Sequence, residues 1–160
     1  MHFVNGIVGK GWVDGEIPIC DEDWLVLHRM RNKPTYYSED KVDYDDELPG
    51  IFVDLETGEV VGIRLDYQTE PQQLRILTDL KSLKHIWIAN IENEDHSYVF
   101  PESFSDLTNL ISLKIFEDHP VARFVLPDCD PLPNLRIFYS PSHVDEWIVP
   151  DWFDNRFLQK

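Results

Sequence analysis

The residue types able to do chemistry are scattered along this chain and rarely grouped. Six histidines stand at 2, 28, 85, 96, 119 and 143. No HExxH or CxxC spacing brings them or the cysteines around one metal ion. Asp43-Tyr-Asp-Asp-Glu47 supplies carboxylates without the glycine and terminal glutamate of a calcium loop, and reads as a solvated acidic loop. Gly6-Ile-Val-Gly-Lys-Gly11 superficially resembles a phosphate loop, yet lacks its spacing and the hydroxyl residue after lysine. Cys129 falls at a position held elsewhere by Leu77 and Phe104, so burial as a small apolar side chain is expected. Nothing local to Cys20 suggests a nucleophile and its base. The expectation is a chain that is not an enzyme, with no cofactor and no metal. A site within residues 1–50 is the enzymatic alternative.

The elements that position these residues change character near residue 51. Before it, Gly6, Gly9, Gly11 and Gly15 punctuate short β-prone stretches that suggest a hairpin. Asp21 to Arg31 reads as a helix, with acids in its first turn and bases in its last. Trp24, Leu25, Leu27 and His28 give it a face that must pack on something. Residues 32–50 read as an exposed acidic loop. After it, Ile51 to Leu65 alternates on both sides of Thr57-Gly58, a hairpin pattern.

One phrase then returns. Leu80-Lys-Ser-Leu83-Lys-His-Ile86-Trp-Ile88 is echoed by Leu107-Thr-Asn-Leu110-Ile-Ser-Leu113-Lys-Ile115. It comes more weakly as Leu132-Pro-Asn-Leu135-Arg-Ile-Phe138. Val60-x-x-Ile63-x-Leu65 fits its last three positions, and the steps from Val60 to Leu83, Leu110 and Leu135 are 23, 27 and 25 residues. Such a period signals stacked units, each packed on its neighbours.

The phrase resembles that of leucine-rich-repeat proteins, over residues 51–158. Phe100-Pro-Glu-Ser-Phe-Ser-Asp-Leu-Thr-Asn-Leu110 is similar to the proline-bearing segment of plant-type repeats. Leu126-Pro and Val149-Pro open like it. The asparagine expected after each LxxLxL is replaced by Gln68, Ile91, Asp118 and His143, so a short, irregular solenoid is implied. That fold is α/β, with about four parallel strands on a concave face. Residues 1–50 would form an N-terminal cap of helix and hairpin, 51–143 the repeats and 144–160 a C-terminal cap, in a single domain. Trp147, Trp152, Phe153 and Phe157 are expected to close the solenoid's open end.

The totals bound the partner. Thirty acids against 14 bases give a net charge of −16, and the excess is shared by every third of the chain, so the folded body itself is anionic. Nucleic acid and acidic membranes are disfavoured, because phosphate binding relies on Lys and Arg. A basic protein is favoured by complementary fields. Two cysteines are too few for a disulfide framework, and neither a signal-peptide pattern nor a membrane-length apolar run is present. A cytoplasmic monomer or weak oligomer is expected.

In an LxxLxL strand the leucines point inward and the intervening residues face out. Counting along each phrase gives three columns across the sheet: Gly62, His85, Ser112, Ile137; then Arg64, Trp87, Lys114, Tyr139; then Asp66, Ala89, Phe116, Pro141. Exposed Trp87, Phe116 and Tyr139 together would have the composition of a binding hot spot. The candidate partner-binding residues are therefore Arg64, Asp66, His85, Trp87, Lys114, Phe116, Glu117 and Tyr139. The function expected is non-catalytic protein binding. In profile the chain resembles acidic immunity or inhibitor proteins that neutralise a basic toxin or enzyme, an analogy of composition and not of motif. A recognition domain of a larger scaffold, receptor or secreted effector is the alternative.

Overall fold

The computed structural model describes residues 1–9, 13–30, 35–39, 50–66, 71–89 and 96–158. The acidic run Asp43–Glu47 and positions Gly11, Gln68 and Ile91 lie outside them. The chain folds as α/β, with strands dominant and few helices. Strands β1 (His2–Val8), β2 (Val13–Ile19), β3 (Tyr36–Ser38), β4 (Gly50–Val53), β5 (Val60–Asp66), β6 (His85–Ala89), β8 (Ser112–Phe116) and β10 (Ile137–Tyr139) form one sheet, in the order β10-β8-β6-β5-β4-β3-β1-β2. Strands β7 (Ser97–Val99), β9 (Val121–Val125) and β11 (Val144–Ile148) form a second, in the order β11-β9-β7.

The recurring leucine phrase explains the parallel run at one end of the large sheet. β5, β6, β8 and β10 pair successively in parallel, each one phrase further along the chain. The strand is entered through a backbone ladder: Lys84 N–H donates to Val61 O, Ile111 N–H to Lys84 O and Arg136 N–H to Ile111 O, at 2.7, 2.7 and 2.9 Å. Val60, Ile63, Leu83, Ile86, Ile88, Leu110, Leu113, Ile115 and Leu135 are all buried in one core between the sheets. Each such side chain contributes about 1.5–3 kcal/mol of burial free energy. Tyr98, Phe124 and Trp147 of the second sheet complete that core from the other side.

The hairpin foreseen across Thr57-Gly58 is present, β4 running antiparallel to β5. Asp54 Oδ1 accepts the N–H groups of Glu56 and Thr57, and Gly58 takes the turn with φ +74°. A side chain there would strain the backbone and crowd Cys20 N, which donates to Gly58 O at 2.8 Å. The register shifts between Phe52 and Val53, so Val60 and Ile63, three residues apart, both enter the main core, while Val61 and Gly62 share the opposite face.

Helix α1 (Asp21–His28) carries Asp21, Glu22 and Asp23 in its first turn, where the helix dipole favours them. It is shorter than the Asp21–Arg31 expectation, with Arg29 already in the closing turn. Its packed face is Asp23, Val26 and Leu27, while Leu25 is exposed. Helix α2 (Pro71–Leu77) lies between β5 and β6 of the large sheet, and a 3₁₀ turn (Glu102–Asp106) follows β7 of the small sheet and precedes β8 of the large one. A short helical turn α3 (Asp151–Phe153) and a π turn (Asp154–Leu158) follow β11.

Both terminal segments take part in the sheets. Residues 1–50 do more than cap: β1, β2 and β3 extend the large sheet, with β1 parallel to β3 and β3 parallel to β4. Residues 144–148 form β11 of the second sheet. The segment after β11 packs through aromatic rings. Phe153 is fully buried, at 4.9 Å from both Phe138 and Phe157. Arg156 Nη1 donates to Leu132 O and Leu135 O at 2.9 Å, with its guanidinium 5.0 Å from the Trp152 ring.

Candidate binding surface

The face of the large sheet turned away from the main core carries the columns that residue counting assigns. Arg64 aligns with Trp87, Trp87 with Lys114 and Lys114 with Tyr139. Gly62, His85, Ser112 and Ile137 form the column beside it, and Asp66, Ala89 and Phe116 the next. Pro141 lies beyond the end of β10. Asp66 ends β5 in register with Ala89; its side chain is outside the described structure.

Exposure divides this face in two. Trp87 is only 3% exposed, against the expectation of an open tryptophan. Tyr37 and Phe52 stack at 5.2 Å, and Phe52 meets Trp87 edge to face at 5.5 Å. With Val61, these form a second small core, against which Ile7 and Phe116 pack. The cause is the extension of the sheet by β3 and β4, whose aromatics reach over Trp87 from the side. Lys114 is also buried. The open half lies on β8 and β10: Tyr139 is 57% exposed, Ile137 38%, and Phe116 sits 5.4 Å from the Tyr139 ring. Arg64 lies over the Phe116 ring, its guanidinium carbon 5.5 Å from the centroid.

The charged members are engaged. His85 stacks on Trp87 at 5.4 Å, and its Nδ1 is 2.8 Å from Ser112 Oγ. Burial, helped by the Lys84 and Lys114 charges and opposed by Glu39, lowers its pKa from 6.5 to about 4, so the ring is neutral near pH 7. Lys84 pairs with Glu39 at 3.1 Å. Glu117, expected as a rim acid, accepts the buried Tyr98 hydroxyl at 2.7 Å and so ties the two sheets together.

Elsewhere, Cys129 is half-buried, not enclosed as expected. It borders an open cleft of about 680 Å³ with Ser105, Thr108, Asp128 and Asp130, and its carbonyl accepts Trp152 Nε1–H at 2.8 Å. Burial and the two flanking aspartates raise the thiol pKa, which holds the sulfur protonated and weakly nucleophilic near pH 7. Among the described residues, no group of three His, Cys, Asp or Glu side chains is placed to hold a metal, and no helix is long and apolar enough to cross a membrane.

Sequence reasoning missed Tyr37 and Phe52, whose only signal is an aromatic residue in each of two short β-prone runs. It also missed a polar ladder between phrases. Asn109 Nδ2 donates to Lys81 O at 3.4 Å, and Asn134 Nδ2 to Thr108 O at 3.0 Å. The recurring Asn-Leu at 109–110 and 134–135 was its signal. No protein-family model, curated protein or solved structure matches this chain.

Proposed function

We propose that this chain is a non-catalytic protein-binding module, built as a short leucine-rich-repeat-like solenoid and using the face of β5, β6, β8 and β10. The observation that carries the reading is the open end of that face. Phe116, Ile137 and Tyr139 present contiguous apolar surface on a parallel sheet, with Arg64 over the Phe116 ring and Trp87 in the cluster against which Phe116 packs. Aromatic anchors on a preorganised support are what binding hot spots need.

The partner proposed is a basic protein, such as a toxin or enzyme held inactive by this one. A net charge of −16 steers such a partner and repels anionic surfaces. Two free cysteines suit a reducing compartment.

The test is association kinetics with the product of an adjacent gene that encodes a basic protein, at two salt concentrations. Tyr139→Ala is expected to speed dissociation at least tenfold, as for a central aromatic anchor. Higher salt is expected to slow association. A partner that binds while Tyr139→Ala and Phe116→Ala leave its dissociation unchanged sinks this face as the site.

A further inference from the structure

Among the described residues, no strand lies beyond β10 in the large sheet or beyond β11 in the small one, so each presents an edge after the last repeated phrase. An open edge is a row of backbone N–H and C=O groups able to pair with another strand. β10 offers little of it. It is three residues long and follows the exposed cation Arg136. β11 is five residues long and carries Asp145 and Glu146, both exposed.

The register lays out the outer face of the small sheet in two rows. Ser97, Arg123 and Glu146 make one; Val99, Val125 and Ile148 make the other. The first row ends with an anion beside a cation, so a further strand is best continued there by a cation. The second is aliphatic throughout, and Val99 and Ile148 are exposed at 46% and 43%. Asp145, one residue earlier, turns to the other face and lies 2.7 Å from His143 Nε2, so Glu146 is the carboxylate of that row.

A second copy of this chain does not suit the edge. Antiparallel pairing centred on Glu146, or parallel pairing in register, sets that carboxylate against its own copy. Like charges directly opposite destabilise a pair of strands. Two bodies of charge −16 also repel.

We propose that the β11 edge accepts an added strand from a basic protein. The strand is an extended segment with Lys or Arg opposite Glu146 and an aliphatic residue two positions along, opposite Ile148. Main-chain bonds supply affinity and the two outer-face positions supply choice of sequence. This surface lies on the opposite sheet from Tyr139 and stands independently of the aromatic-face reading.

The probe is a capped heptapeptide, Lys-Thr-Val-Thr-Lys-Thr-Val, compared with the same peptide bearing Glu in place of Lys. Amide NMR of the full chain is expected to show shifts and slowed exchange across Asp145–Ile148 with the basic peptide, and weaker effects with the acidic one. Glu146→Lys, at an exposed position, is expected to weaken the basic peptide by about tenfold and to favour the acidic one. Equal response to both peptides, or discrimination unchanged in Glu146→Lys, overturns the proposal. So does exchange protection confined to β10. Shifts confined to Phe116 and Tyr139 overturn the edge proposal while favouring the aromatic face.

Discussion

The carboxylate of Asp23, in the first turn of α1, accepts the backbone N–H of Val60 at 2.7 Å, where the hairpin enters β5. This one bond joins the N-terminal helix to the first strand of the parallel run, and Asp23 is buried around it. Burial raises the Asp23 pKa above its ordinary 3.8, against the lowering effect of the Val60 bond. A carboxyl whose folded pKa is raised favours folding at low pH and loses that contribution as pH rises through the folded value. Asp23→Ala removes the acceptor and leaves a buried N–H, so a loss of about 1–3 kcal/mol is expected by chemical denaturation. Asp23→Asn keeps an acceptor without the charge. It is expected to match or exceed the parent at pH 7, with the advantage shrinking toward pH 4. An alanine variant as stable as the parent contradicts this role for the bond.

His85 gives a second pH dependence, of opposite sign. Its folded pKa, about 4, lies below the ordinary 6.5, so the unfolded chain binds the proton more readily between those values. Stability is therefore expected to fall as pH drops from about 6.5 toward 4. Lys84 and Lys114 add to the cost of protonation, and Glu39 offsets part of it. Urea midpoints of parent and His85→Gln across that range test this. The variant is expected to show the flatter profile, and parallel profiles would assign the effect to other groups.

The parallel run was legible because its signal is local. LxxLxxLxL sets which side chains face the core, and a strand's two-residue alternation sets the rest. Counting therefore placed Arg64, Trp87, Lys114 and Tyr139 in one column without coordinates. What was illegible depends on distant pairing. Nothing near Tyr37 signals that β3 lies between β1 and β4, and that placement is what buries Trp87. The second sheet hid for another reason. The outer positions of Val99 and Ile148 are as apolar as inner ones, so no clean alternation marks its strands. Glu117 looked like a rim acid because its partner, Tyr98, sits on that unseen sheet.

Leu113 tests the packing of the repeated phrase. It is fully buried in the middle of β8, paired with Ile86 on one side and Phe138 on the other. Leu113→Ala is expected to cost about 2–5 kcal/mol, the range for buried leucines that leave a cavity. Thermal unfolding is the measurement, and an unchanged melting temperature contradicts an inward Leu113.

Trp87 and Tyr139 share a column, yet their substitutions are expected to do different things. Trp87 closes the second core against Phe52 and His85, so Trp87→Ala removes buried ring area and is expected to cost about 3–5 kcal/mol. Tyr139 projects from an edge strand and touches Phe116, so Tyr139→Ala is expected to stay within about 0.5 kcal/mol of the parent. Weaker binding in a Trp87→Ala variant would thus be confounded by unfolding, and weaker binding in Tyr139→Ala would not. Urea unfolding of the two variants separates these roles before any partner is in hand. A stable Trp87→Ala with near-native amide spectra would show that the aromatic cover over β6 is dispensable, and would return Trp87 to the contact surface. A strongly destabilised Tyr139→Ala would instead make the exposed end of the face part of the scaffold.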